Sequence, residues 1–308
     1  MISFKAMRCV LFILPFSSNL LFAQLSDTTR IVQHMTKITK TEKSRNYKQL
    51  NQLNATADYI LEVFSQYSDS AYFQEFKVAD RIYKNVICTF GPSDAKTIVI
   101  GAHYDVCQEQ EGADDNASGV VGLLELARLL KNEKLKNKIE LVAYTLEEPP
   151  FFRTEYMGSF IHAQSLQQAK TDVLGMICLE MIAYFSDKKG SQEYPIGLMS
   201  LFYGKKGNYI TMIKKTGAGK FARKFSSSYK KKKTIRTKRF TGPKSIQGID
   251  FSDHLNYWKF GYSAVMVTDT AFYRNRNYHQ KSDTMETLDF HRMSKVIDGV
   301  FTVLISMN

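Results

Sequence analysis

Apolar positions along this chain follow two rhythms, and their order predicts the architecture. Asn54–Tyr67 places Ala57, Ile60, Leu61 and Phe64 at i, i+3, i+4 and i+7, and Ile31–Gln49 carries a looser helical pattern. Phe73–Val78, Lys84–Phe90 and Thr97–Tyr104 then read as strands, the last two separated by the turn sequence GPSDAK. Ser118–Lys131 returns to helical spacing, with an apolar face wide enough to pack on a sheet. Ile139–Leu146 and Val173–Ala183 are continuous apolar runs, as expected of strands covered on both faces, and Met157–Ala169 fits a helix between them. Strands alternating with helices predict an α/β three-layer sandwich with a mostly parallel central sheet.

The second half is less regular. Pro195–Asn208 contains a predicted strand (IGLMSLFYG), Asn208–Phe221 a helix, Ser252–Phe260 a short helix, Ser263–Thr268 a strand, and Asp289–Ser306 a closing helix. No repeat or linker interrupts the pattern, so one domain is expected over residues 24–308. The first 23 residues differ. Lys5 and Arg8 precede an apolar run, Cys9–Ala23, that is too short and too broken by Pro15 and serines to span a bilayer comfortably. It reads as a signal peptide ending near Ala23, with an uncleaved N-terminal anchor as the other reading. Either way the chain is exported, to the periplasm or outside the cell, with no integral membrane segment expected in the mature protein.

Composition changes this picture little. With 44% hydrophobic and 23% charged residues, the 308-residue chain is neither disordered nor fibrous. Its formal net charge of +12 falls to about +10 once Lys5 and Arg8 leave, and much of the excess sits in Lys230–Arg239 (KKKKTIRTKR). Such a run suits nucleic acid or anionic lipid, but no interleaved aromatics or nucleic-acid motif accompany it, so it reads as a solvated loop. No nucleic-acid partner is expected. Cys88, Cys107 and Cys178 remain after Cys9 leaves, an odd number that predicts no disulfide framework.

Acids and histidines cluster at the ends of the predicted strands, where open α/β sheets collect their reactive groups. His103 and Asp105 end TIVIGAHYD, Asp114 and Asp115 lie in the turn GADDNASG, Glu147 and Glu148 follow IELVAYTL, and Glu180 ends VLGMICLE. So many converging acids would repel one another strongly unless cations neutralised them. Imidazole and carboxylate donors suit zinc, and two ions sharing a carboxylate would form a two-metal hydrolytic site.

HYD at 103–105, GADDNASG at 112–119, LEE at 146–148, MGS at 157–159, LEM at 179–181, SDH at 252–254 and YHQKSDT at 278–284 resemble, in that order, the co-catalytic di-zinc peptidases that include bacterial leucyl aminopeptidases. Glutaminyl-peptide cyclotransferases are a divergent branch of that family. The resemblance covers roughly residues 97–284 and implies the zinc exopeptidase (phosphorylase/hydrolase-like) fold. It gives one zinc to His103 and Glu180, the other to Glu148 and His279, and makes Asp115 the bridge. Glu147 would be the general base and Asp105 would orient the His103 imidazole.

Two features depart from the commonest pattern of that family. Glu180 stands where many members carry aspartate, which bears on metal spacing or second-site affinity. PPFFRTEY is inserted before MGS, and its Phe151 and Phe152 are candidates for the substrate pocket, as are Tyr184 and Phe185, although all four more often belong to a core. His254 and Asp253 read as supporting residues, Asp114 as turn chemistry, and His34, His162 and His291 as packing or surface residues. The expected function is hydrolysis of N-terminal residues from peptides. Cyclotransfer on N-terminal glutamine, a carboxypeptidase with Arg153, Arg274 or Arg276 as carboxylate clamp, and a binding ectodomain without chemistry are the alternatives.

Overall fold

The computed structural model describes residues 25–307, so the signal-peptide reading of the first 23 residues lies outside the described residues. Helix α1 (Thr28–Thr39) begins where the Asp27 carboxylate accepts the amides of Thr29 and Arg30, and it buries Ile31, Met35 and Ile38 on one face. It stops well before Gln49, because no apolar face continues beyond Ile38. Residues 40–49 turn back instead, and Arg45 and Asn46 are buried. Helix α2 (Leu50–Tyr67) follows and buries Leu53, Ala57, Ile60 and Phe64.

Eight strands form one sheet: β1 (Ser70–Val78), β2 (Arg81–Phe90), β3 (Thr97–His103), β4 (Lys138–Tyr144), β5 (Val173–Glu180), β6 (Ile210–Lys215), β7 (Thr237–Gly242) and β8 (Ala264–Thr268). Their order is β1-β2-β4-β3-β5-β8-β6-β7. The central pairings β4-β3, β3-β5 and β5-β8 are parallel, as is β6-β7, whereas β1-β2, β2-β4 and β8-β6 are antiparallel. The sheet is therefore mixed, with its parallel part at the centre.

Alternation along the strands feeds two cores. Ile98, Ile100 and Ala102 of β3 pack with α1, α2, α3 (Gly119–Leu130), α6 (Gly219–Lys232) and α8 (Phe290–Met307). Val99 packs on the opposite face, with α4 (Gly158–Gln168) and α7 (His254–Lys259). Every residue of β3 is buried, the outcome the unbroken apolar run predicts. Among the described residues no helix is long and apolar enough to cross a membrane.

The structure corrects the reading of residues 195–239. IGLMSLFYG is not a strand: it holds a short helix, α5 (Met199–Tyr203), and β6 and β7 take the sheet edge beyond β8. Asn208–Phe221 is not one helix. Its β-branched run becomes β6, and Gly217 and Gly219, at φ of 76° and 90°, turn the chain into α6, whose first residue is Gly219. The basic run is not a loop either, since its first lysines end α6 and its last residues belong to β7.

Candidate metal centre

β4, β3 and β5 lie side by side and parallel, so their carboxyl ends deliver side chains to one place. His103 is the last residue of β3 and Glu180 the last of β5, while Glu147 and Glu148 leave β4 through Leu146, whose φ is 59°. Asp115 enters from the irregular turn Ala113–Ser118 that leads into α3, and His279 from the loop after β8. The structure thus brings together every sequence-predicted ligand.

The distances define two half-sites joined by Asp115. Nε2 of His103 lies 3.4 Å from Oδ1 of Asp115 and 3.4 Å from Oε2 of Glu180. Nε2 of His279 lies 3.2 Å from the other oxygen of Asp115 and 3.2 Å from Oε2 of Glu148. Glu147 stands beside them, with Oε2 3.9 Å from Nε2 of His103.

Backbone hydrogen bonds explain how these side chains are held. The Asp105 carboxylate accepts the amides of Glu147 and Glu148, each at 3.1 Å. Asp283 does the same for Asp114 and Asp115, each at 3.0 Å. One buried carboxylate therefore fixes each ligand-bearing dipeptide. The imidazole of His103 turns Nδ1 toward the carbonyl oxygen of Asp105 at 3.1 Å, while the Asp105 carboxylate is farther, at 3.6 Å. Orientation of His103 thus falls to the backbone of Asp105, and its carboxylate serves the glutamates. Glu180 accepts from Ser252 Oγ at 2.7 Å and Asn116 Nδ2 at 3.3 Å.

Electrostatics follow from this crowding. Burial lifts the Glu147 carboxyl well above the ordinary range, with His103 offsetting only part of the effect. Burial and the Asp115 charge push Glu148 up to about 7. Burial would raise Asp115 as well, but the proximity and charges of both histidines hold it below the usual carboxylate value. Burial would lower the two histidines, and the surrounding acids more than reverse that.

A cation fits this donor set. Asp115 Oδ2 and Glu148 Oε1 are buried and accept no hydrogen bond from any described residue, although His279 Nε2 stands 3.2 Å from the former. Facing oxygens and nitrogens without a hydrogen between them are what a shared metal ion satisfies. His103, Asp115 and Glu180 offer ligand atoms within 4.8 Å of one another, and Cys107, Glu148 and His279 do likewise.

Arg45 escaped the sequence reading. Only 1% exposed, it donates to the carbonyls of Tyr104 at 2.8 Å, of Gly112 at 2.5 Å and of Glu111, behind the β3 end and ahead of Asp115. Burial lowers its guanidinium to about 10, and Asp283, Asp115, Asp105 and Glu148 counter part of that. It is the permanent cation behind the acids. Only its pull toward buried acids distant in sequence marks it, and no local motif carries that signal.

Other expectations resolve individually. His254 is buried with Nε2 donating to the Ile249 carbonyl at 2.7 Å, and burial lowers it to about 4, so it supports the wall as a neutral ring. Asp253 is buried, and both its oxygens lack hydrogen-bond partners among the described residues. Asp114 accepts the Ala183 amide at 3.1 Å and Asn275 Nδ2 at 2.8 Å, which binds its turn to two distant segments. His162 is a packing residue, with Nδ1 2.6 Å from the Tyr257 hydroxyl. Phe151 packs between Tyr47 and Tyr83, and Phe152 against Phe251. The cavity beside Glu180 is lined instead by Tyr194, Tyr209, Phe240, Phe251, Phe272 and Tyr278, among others.

This strand-end cluster of acids and histidines is a candidate metal centre. The sequence model of Peptidase family M28 matches residues 85–304, and the chain belongs to that family. It is 42% identical over 275 residues to uncharacterized protein YfbL of Escherichia coli K12, covering 87% of this chain and 84% of that protein. To leucine aminopeptidase 1 of Ajellomyces dermatitidis it is 28% identical over 224 residues, 68% of this chain and 52% of that one; the chain spans about half that enzyme's length. Among solved structures, Legionella pneumophila LapA aminopeptidase matches with a TM-score of 0.71 at 20% identity, covering 92% of this chain and 73% of that one. Porphyromonas gingivalis glutaminyl cyclase matches at 0.68 and 17%, covering 93% and 100%. At such identities these two establish a common fold alone.

Proposed function

We propose that this chain is an exported zinc aminopeptidase that removes N-terminal residues from peptides. The observation that carries this reading is Asp115, whose two oxygens face different histidines, with Glu147 beside them and an aromatic cavity adjoining Glu180. Zinc would be held by His103, Asp115 and Glu180 on one side and by His279, Asp115 and Glu148 on the other, supplying Lewis acidity toward the scissile carbonyl and toward water.

The remaining work belongs to the side chains. Glu147 takes the proton of the attacking water at its free carboxylate oxygen and returns it to the leaving amine. Asp105 keeps Glu147 and Glu148 in step, because one carboxylate holds both their amides. The acidic surroundings favour a substrate ammonium. Of the three arginines considered for a terminal carboxylate, Arg153 is paired with Asp250 and Arg276 with Glu193, while Arg274 is buried with Nε on Gln192 Oε1 and its Nη2 unpartnered among the described residues. The acidic surroundings of the site support the amine end over the carboxyl end.

Zinc analysis of the purified protein, combined with free-amine, N-blocked and N-terminal glutaminyl peptides, tests the proposal. About two zincs per chain and cleavage of the free-amine peptide alone are expected. One zinc with a pyroglutamyl product would establish cyclotransfer, the second reading, which the glutaminyl cyclase neighbour keeps in view. Trimming of the N-blocked peptide from its carboxyl end would establish a carboxypeptidase.

A further inference from the structure

Between Tyr194 and Ile249 the chain carries fifteen lysines and arginines and no aspartate or glutamate. These residues form α5, β6, α6 and β7, at the end of the sheet farthest from β1. Lys214, Arg223, Lys230, Arg236, Lys238 and Arg239 line one surface depression. The polar partners on this face are neutral: Arg239 donates to Ser227 Oγ at 2.6 Å and Arg236 to Asn208 Oδ1 at 3.0 Å. Burial and the Arg239 charge lower Lys214 to about 8, and burial with Arg236 and Arg274 does the same to Lys238. The fold holds like charges together here without compensation, a condition that an anionic partner relieves.

The same face carries apolar side chains turned to solvent. Ile196, Leu198, Leu201 and Phe202 are 53%, 65%, 73% and 81% exposed, an unusual concentration of large hydrophobic surface within seven residues. Phe202 also lines the basic depression, so the apolar and cationic groups share one surface. β7 is an edge strand, and lysines on such a strand protect it from pairing with other chains. Edge protection accounts for Lys238; it does not account for cations spread over two strands and a helix, or for four exposed apolar residues beside them.

We propose that this face docks the protein on an anionic lipid bilayer, its lysines and arginines on the headgroups and Leu198, Leu201 and Phe202 in the acyl boundary. A surface that combines cations with aliphatic side chains has the two components of interfacial membrane binding. Nucleic acid would use the cations but would leave Leu198 and Leu201 in water, and Phe202 and Tyr203 are the aromatics this depression offers it for stacking. The inner residues of α5, Met199 and Tyr203, line the cavity beside Glu180, so the docked surface is the outer side of the cavity wall.

The test is co-sedimentation of the purified zinc-loaded protein with vesicles of phosphatidylcholine alone or with about one third phosphatidylglycerol, at about 0.1 M salt. Partition is expected to favour the anionic vesicles by more than about ten-fold, since each cation at such a surface contributes about five-fold. L201S/F202S and K230E/K231E/K232E are each expected to remove most of that preference while leaving peptide hydrolysis and the circular dichroism spectrum unchanged, because all five side chains lie outside the site. Equal partition into both vesicle types would overturn the proposal, and so would variants that sediment like the parent. Tighter retention on duplex DNA than on the vesicles, insensitive to L201S/F202S, would overturn it in favour of nucleic acid.

Discussion

The two halves of the candidate metal centre are built differently. His103 and Glu180 end neighbouring parallel strands, and both side chains are almost wholly buried, at 1% and 7% exposure. Hydrogen bonds from the Ser252 and Asn116 side chains hold Glu180, and the Asp105 carbonyl holds His103. His279 sits on an irregular loop at a φ of 57°, stacked on Tyr278 and 26% exposed, opposite a glutamate with one oxygen unpartnered among the described residues. A side chain at a strand end is placed by the sheet, while one on a loop has more freedom to adjust. On the proposed function, the strand half would set where chemistry happens and the loop half how readily a cation exchanges.

The sharpest test of that division is Glu147, which stands beside the strand half and ligates in neither assignment. Glu147→Gln is expected to lower kcat by about 10³-fold, within the usual range for a general base, while zinc content by mass spectrometry stays at the parent value. Unchanged turnover would remove Glu147 from the mechanism. Next in size is Arg45→Met. Without the guanidinium, three carbonyls lose their donor and the acids lose their fixed cation, so the metal-free protein should lose about 3 kcal/mol in urea unfolding. A loss under about 0.5 kcal/mol would mean that the acids are compensated elsewhere. The smallest effect separates the halves directly. Titration with a chelator should strip one zinc from the loop half at about ten-fold lower concentration than the other, and His279→Ala should abolish that first phase alone. Simultaneous loss of both ions would erase the distinction.

Much of this was legible in the sequence, for physical reasons that also explain the rest. Buried central strands must be apolar throughout, so β3, β4 and β5 announced themselves, and polar residues at their ends could only be there for chemistry. That logic placed His103, Glu147, Glu148 and Glu180 at one sheet edge. It failed for β6 and α6, where lysines interrupt the apolar pattern and glycines at positive φ, invisible to periodicity, decide where elements turn. The carboxylate pairing of Asp105 and Asp283 with successive amides escaped notice as well, because it depends on where backbone from distant segments arrives. The cavity aromatics come from four such segments, and Tyr278 alone lay within a motif.

Arg45 has a consequence for where this catalytic module begins. The family model starts at residue 85, well after the arginine, although the 87% of this chain matched by YfbL must include it. Charge balance draws the boundary elsewhere. Trimmed to residues 85–304, the module would keep the candidate ligands and Glu147 and lose the guanidinium seated behind them. Transplanting this site into another scaffold would therefore require a guanidinium in the same place, delivered by whatever segment the new host can bring there.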